Sequence, residues 1–147
     1  MRVTILAIGR QRDAALAGLI EDYRRRCAWP VAIVECQPKK GESEAQRLAR
    51  ALPPGAAILA LDCAGELASS QALAARLAAW RDGGRDVACL IGGADGLGGD
   101  LLARADWCLA LGRLTWPHLL VRLLLMEQLY RAGTILAGHP YHRGGLG

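Results

Sequence analysis

Apolar residues in this chain follow two rhythms. Short, nearly continuous runs occur at Val3–Ile8, Val31–Cys36, Ala56–Leu61, Val87–Ile91 and Trp107–Leu111. Runs of this length suit strands covered on both faces. Between them the apolar positions are three and four apart, the spacing of a helix with one buried stripe. Asp13–Arg26 carries Leu16, Leu19, Ile20 and Tyr23 in this way, and Glu42–Ala51 repeats the pattern weakly until Pro53-Pro54-Gly55 closes it. Gln71–Arg81 aligns Leu73, Leu77 and Trp80, with Ser69 or Ser70 available as a cap. The alternation predicts an α/β fold: a mostly parallel sheet with helices on both faces, in one domain spanning residues 1–147. No repeat, low-complexity tract or linker divides it.

The last helical segment is different. It starts at Pro117, a residue suited to a first turn, and runs to about Ala132. Leu119, Leu120, Val121, Leu123, Leu124, Leu125, Met126, Leu129 and Tyr130 surround nearly its whole circumference. Such a helix must be covered on all sides, and a sheet covers only one. A second copy of the chain, in a homodimer, is the expected cover; a central position within a monomer is the alternative.

Two of the predicted strands lead into irregular loops. After Val87–Ile91 come Gly92-Gly93-Ala94-Asp95-Gly96-Leu97-Gly98-Gly99, and after Trp107 comes Leu109-Ala110-Leu111-Gly112-Arg113-Leu114-Thr115-Trp116-Pro117-His118. Strand, loop and helix start in this order present backbone amides at the carboxyl edge of a parallel sheet. Leu61-Asp62 would provide a third wall. The glycines match neither G-x-G-x-x-G nor a Walker A loop, and Asp95 and Asp100 would repel a phosphate. A cationic ligand or a neutral nucleoside fits better; a tight structural turn is the plainer reading.

Composition narrows the class further. Charged residues make up 22% of the chain and hydrophobic residues 52%, which excludes a disordered polymer. The net charge of +4, from 18 basic and 14 acidic residues, is compatible with a polyanionic partner without requiring one. Arg24, Arg25 and Arg26 offer either a strip for RNA backbone or an ordinary solvated helix end. Five dispersed cysteines, with no CxxC pair, point to buried structural thiols in a reducing compartment rather than to disulfides or a metal. No apolar run reaches the ~20 residues of a membrane span, so a cytoplasmic protein with no membrane association is expected.

Near the C-terminus, Gly138-His139-Pro140-Tyr141-His142-Arg143 gathers two imidazoles, a phenol and a guanidinium. These groups can move a proton near neutral pH, stack on a base and pair with phosphate. A frayed end is the other possibility. Glu127 and Arg131 stand four apart in the order that favours a helix salt bridge, and His118 suits a helix-start hydrogen bond.

Ile91-Gly92-Gly93-Ala94-Asp95-Gly96, Leu114-Thr115-Trp116-Pro117-His118, Val121-Arg122, Glu127-Gln128-Leu129-Tyr130-Arg131 and His139-Pro140-Tyr141-His142-Arg143, taken together and in this order, resemble the RlmH family. These are ribosomal RNA large subunit methyltransferases H, of the SPOUT superfamily, and the resemblance covers essentially the whole chain. It implies a C-terminal trefoil knot, a homodimer, and S-adenosyl-L-methionine as methyl donor, with no metal. The implied activity is methylation of N3 of a pseudouridine in large-subunit (23S) rRNA on the assembled ribosome. The implied cofactor residues are Leu61, Gly92, Leu109, Ala110, Leu111, Gly112, Arg113 and Leu114. A positively charged sulfonium also accounts for Asp95 in the glycine loop.

Methylating N3 requires removal of its proton, for which His142 is the first candidate base and Glu127 the second. Arg143 could stabilise charge on the adjacent carbonyl oxygens or hold a phosphate, and Tyr141 could order the tail or stack on the target. Two other classes remain open: a nucleotide-binding, flavodoxin-like regulatory module without catalysis, and a passive RNA binder with a degenerate pocket.

Overall fold

The computed structural model describes residues 1–143, except for the His142 side chain. Five strands, β1 (Val3–Ile8), β2 (Val31–Cys36), β3 (Ala57–Leu67), β4 (Val87–Ile91) and β5 (Trp107–Ala110), form one sheet in the order β2-β1-β4-β3-β5. Every pairing is parallel. The central β4 is buried throughout, whereas the edge strand β2 exposes Ala32, Val34 and Glu35.

Alternation along the strands sends side chains to two cores. Val3, Ile5, Ala7, Val87, Cys89 and Ile91 meet α1 (Ala14–Arg26), α3 (Ser70–Asp82) and α5 (His118–Ala137) on one face. Leu6, Ile8, Leu90 and Cys36 meet α2 (Glu44–Ala51) and α4 (Gly99–Arg104) on the other. Local chemistry fixes the helix starts. Asp13 accepts hydrogen bonds from the amides of Ala15 and Leu16, Ser43 and Gln46 form a reciprocal capping box, and Ser69 caps α3.

Two elements outrun the sequence pattern. β3 continues past Leu61 through a register shift, so that Glu66 and Leu67 pair again with β5. The Trp107 indole donates to Glu66 Oε2 at 2.8 Å across this second pairing. Gly65 lies against the backbone of Cys108, where an added Cβ would come within 2.8 Å. α5 continues beyond Ala132 to Ala137, with Ala28 packed to 3.0 Å of where a Cβ on Gly133 would stand, and left-handed Gly138 ends it.

The cysteines divide by depth: Cys36 and Cys89 are buried, Cys27 and Cys108 half-buried, and Cys63 exposed. Burial pushes the Cys89 thiol up to about 12. Cys63 departs from the expectation of buried thiols because it lies in the extension of β3. The Arg24–Arg26 strip is largely engaged within the protein. Arg24 pairs with Glu21 at 2.6 Å, Arg25 and Arg26 pair with Asp22, and Arg26 also stacks on two tyrosine rings.

Candidate functional site

Strand β1 leaves toward β2, while β4 leaves over the opposite face toward β5. Loops at such a divergence open a crevice beyond the carboxyl ends of the strands. On the β4 side the crevice is a cavity of about 230 Å³ beyond the carboxyl ends of β3, β4 and β5. Its walls are Leu61–Cys63 of β3, the glycine loop from Ile91 to Gly96, and Leu111–Gly112 with Leu114–Trp116 after β5. His118 and Val121 of α5 close the floor.

Each wall is shaped by its sequence. A Cβ on Gly92 would stand 2.8 Å from the Gly96 carbonyl, so the loop can fold back on itself only with glycine there. The Trp116 indole donates to Leu111 O at 3.1 Å and draws the ends of the third loop together. Arg113 donates from Nη1 to the carbonyls of Cys63 and Gly65. Its guanidinium therefore clamps the loop to β3 instead of lining the cavity. Asp62, which accepts a bond from the Ala64 amide, is the carboxylate on the wall.

A second cavity, of about 670 Å³, lies on the other side of the 111–116 loop. It is bounded by Leu109–Gly112, by Leu123, Leu124, Glu127 and Gln128 of α5, and by Leu19 and Tyr23 of α1. The two cavities share Leu111, Gly112 and Trp116. The residues singled out by sequence are thus split between them. Leu61, Gly92 and Leu114 line the smaller, Leu109 and Ala110 the larger, and Arg113 neither. Between the cavities, Leu114 is 71% exposed and Trp116 39%, an apolar lip at the mouth.

The tail folds back onto α5. Tyr141, in the 3-10 turn Pro140–Arg143, donates its hydroxyl to Glu127 Oε1 at 3.0 Å. Arg131 holds the same carboxylate at 2.7 Å, and Gln128 donates to Oε2 at 2.8 Å. Burial, reinforced by Tyr23 and Glu127, raises the Tyr141 phenol above its ordinary value and keeps it a donor. The Tyr141 ring packs edge-on against Tyr130, which meets Tyr23, and Arg26 lies over both of those rings. His142 shares the turn, though its side chain lies outside the described residues; Arg143 is exposed.

Sequence reasoning passed over one constellation. Arg122, only 1% exposed, reaches Glu35 Oε2 at 2.6 Å, Ile8 O at 2.9 Å and Gly9 O at 2.8 Å. It ties α5 to the carboxyl ends of β1 and β2. Glu35 also accepts the Gln11 amide at 2.6 Å, and that bond, followed by Arg122, holds its carboxyl below the usual range. The available signal was a charge set among the apolar residues of the first half of α5, which demands a buried partner.

A family model described as a predicted SPOUT methyltransferase matches residues 1–142. Proteins named ribosomal RNA large subunit methyltransferase H are similar along nearly the full length. The one from Rhodospirillum centenum is 49% identical, over 97% of this chain and 99% of its own. The one from Paracoccus denitrificans is 50% identical with the same coverage. The chain belongs to the RlmH family of SPOUT methyltransferases. Its fold is similar to that of a probable methylase family protein from Haemophilus influenzae Rd KW20, with a TM-score of 0.59 at 10% identity. That likeness covers 95% of this chain and 69% of the other.

Proposed function

We propose that the protein transfers a methyl group from S-adenosylmethionine to N3 of a pseudouridine in large-subunit ribosomal RNA, acting on the assembled ribosome as a homodimer. The observation that carries this is the crevice formed by Leu61–Cys63, the glycine loop and Leu111–Trp116, in a chain of this family. The residues suit the donor. Leu61, Leu111 and Leu114 give apolar walls, the glycine loop brings bare backbone to the surface, and Asp62 suits a cation. Bound there, the donor supplies an activated methyl group.

At about 230 Å³ the crevice is smaller than the roughly 300–1,000 Å³ of typical ligand sites. A second copy, laid over the exposed Leu114 and Trp116, would enclose it and complete the reaction centre. The trefoil-knotted path that the resemblance implies would run through residues 111–117, which Arg113 clamps to β3, and on into α5.

His142 is assigned the removal of the N3 proton. Glu127 already holds Arg131, Gln128 and Tyr141, so its carboxylate fixes the tail and leaves the base role to His142. Arg143, exposed beside it, balances the charge that develops on the base or holds an adjoining phosphate. Positioning supplies much of the rate in such an in-line transfer.

The test is labelled methyl transfer to ribosomes carrying or lacking the pseudouridine, with His142→Ala alongside. Transfer confined to pseudouridine-bearing ribosomes, and lost in a variant that still binds S-adenosylhomocysteine, is expected. Transfer indifferent to the pseudouridine defeats the substrate assignment, and full turnover by His142→Ala defeats the base.

A further inference from the structure

We propose that the loops leaving β1 and β2 form a basic platform that grips the phosphate backbone of the RNA substrate beside the donor crevice. This rests on the reading above and names the surface that would deliver RNA to that site.

The two loops emerge side by side, because β1 and β2 are parallel neighbours. Both are preformed. In the first, Gln11 turns inward and donates to Leu119 O at 3.2 Å, while Arg10 and Arg12 on either side of it are exposed. In the second, the Glu42 amide closes a turn onto Lys39 O at 2.9 Å, with Gly41 at φ +80°. That turn presents Lys39 and Lys40 to solvent.

The carboxylates of the same loops are committed elsewhere. Glu35 is held by Arg122, and Asp13 caps α1. Glu42 is held by Arg50 at 2.9 Å and by the Lys39 amide at 3.0 Å. Arg10, Arg12, Lys39 and Lys40 make no ion pair among the described residues. On α1 the reverse holds, since Arg24, Arg25 and Arg26 each pair with a carboxylate. Cations on fixed loops that stand outside any close ion pair suit a polyanion, because binding phosphates releases counterions without first breaking internal pairs.

The platform adjoins the crevice. His118, on the crevice floor, lies 3.8 Å from the position a Cβ on Gly9 would take, at the root of the first loop. A strand whose phosphates cross Arg10, Arg12 and the Lys39–Lys40 turn can therefore direct a base toward the donor.

The experiment compares ribosome binding by the wild type, by Arg10→Gln/Arg12→Gln/Lys39→Gln/Lys40→Gln and by Arg24→Gln/Arg25→Gln over about 50–200 mM salt. Unchanged S-adenosylhomocysteine affinity certifies the fold of each variant. The quadruple variant is expected to flatten the plot of log affinity against log salt by about 3, and to bind about a hundredfold more weakly at the low-salt end. The α1 variant should keep the wild-type slope. If the wild type methylates ribosomes and the quadruple variant keeps its slope, or the α1 variant loses as much, the platform is wrong and the activity stands. If the wild type transfers no methyl group to ribosomes, the reading beneath it falls, and the platform with it.

Discussion

Arg122→Met tests whether a buried guanidinium holds the last helix to the sheet. Methionine keeps an unbranched apolar stem and removes only the charged head. Three hydrogen bonds disappear, to Glu35 Oε2, Ile8 O and Gly9 O. Glu35 is 39% exposed on its side chain and rehydrates, so its loss contributes about 1 kcal/mol or less. The buried Ile8 carbonyl and the half-buried Gly9 carbonyl lose a charged donor, at about 1–3 kcal/mol each with Gly9 at the lower end. Against this, methionine avoids the desolvation of a cation that is only 1% exposed. The balance is a loss of about 3 kcal/mol, or a melting point lower by about 6–12 °C for a domain of this size. Denaturant titration and thermal melting measure it directly. Glu35→Gln should cost about 1 kcal/mol, since an amide oxygen can still accept from Arg122. A loss below about 1 kcal/mol in Arg122→Met, or an equal loss in Glu35→Gln, would refute the carbonyl clamp.

Gly92→Ala should weaken S-adenosylhomocysteine binding about tenfold or more by calorimetry, because its Cβ meets the Gly96 backbone at 2.8 Å. Gly99→Ala, with nothing within 4 Å of the added carbon, should leave affinity unchanged, and equal behaviour of the two variants would count against the loop. Cys63 should be alkylated first among the five thiols, being the exposed one, and S-adenosylhomocysteine should slow that reaction, since Cys63 lines the crevice. An alkylation rate indifferent to ligand would place binding elsewhere. The Asp106 carboxyl lies below its ordinary 3.8 because the Ile58 amide, and then Arg85, stabilise its anion. A lowered folded value contributes stability above 3.8 that is lost as pH falls through the folded value. The difference in melting point between wild type and Asp106→Asn should therefore hold near neutrality and close on acidification; a constant difference would contradict this.

Strands were legible because burial on both faces of a parallel sheet leaves unbroken apolar runs, as at Val3–Ile8 and Val87–Ile91. Val31–Cys36 also forms as the pattern predicts, although as an edge strand it is exposed on part of its length. The extension of β3 was not legible. Asp62, Cys63, Gly65 and Glu66 carry no strand rhythm; the first three lie in the register shift, and Glu66 and Leu67 then pair with β5 over 40 positions away. The last helix likewise runs past the expected end near Ala132 to Ala137, and within it Gly133 is the gap into which Ala28 packs. The glycine loop and the loop after β5 were correctly brought to one rim, since strand–loop–helix order dictates that placement. The direction of the Arg113 side chain was not, because its carbonyl acceptors on Cys63 and Gly65 exist only once the β3 extension has formed. The Glu127–Arg131 pair read from spacing is present at 2.7 Å, and Tyr141 joins it from ten residues beyond Arg131, a contact no helical periodicity encodes.

The Arg122 contact to Ile8 spans 114 positions, which bears on how the chain matures during synthesis. The amino-terminal strands are made first, yet the cation that satisfies the carbonyls at the end of β1 arrives only with the last helix. Until then, the nascent chain holds an incomplete sheet edge, the kind of intermediate on which chaperones act. A newly made molecule interrupted before residue 122 should therefore be degraded or aggregate, instead of persisting as a smaller folded unit.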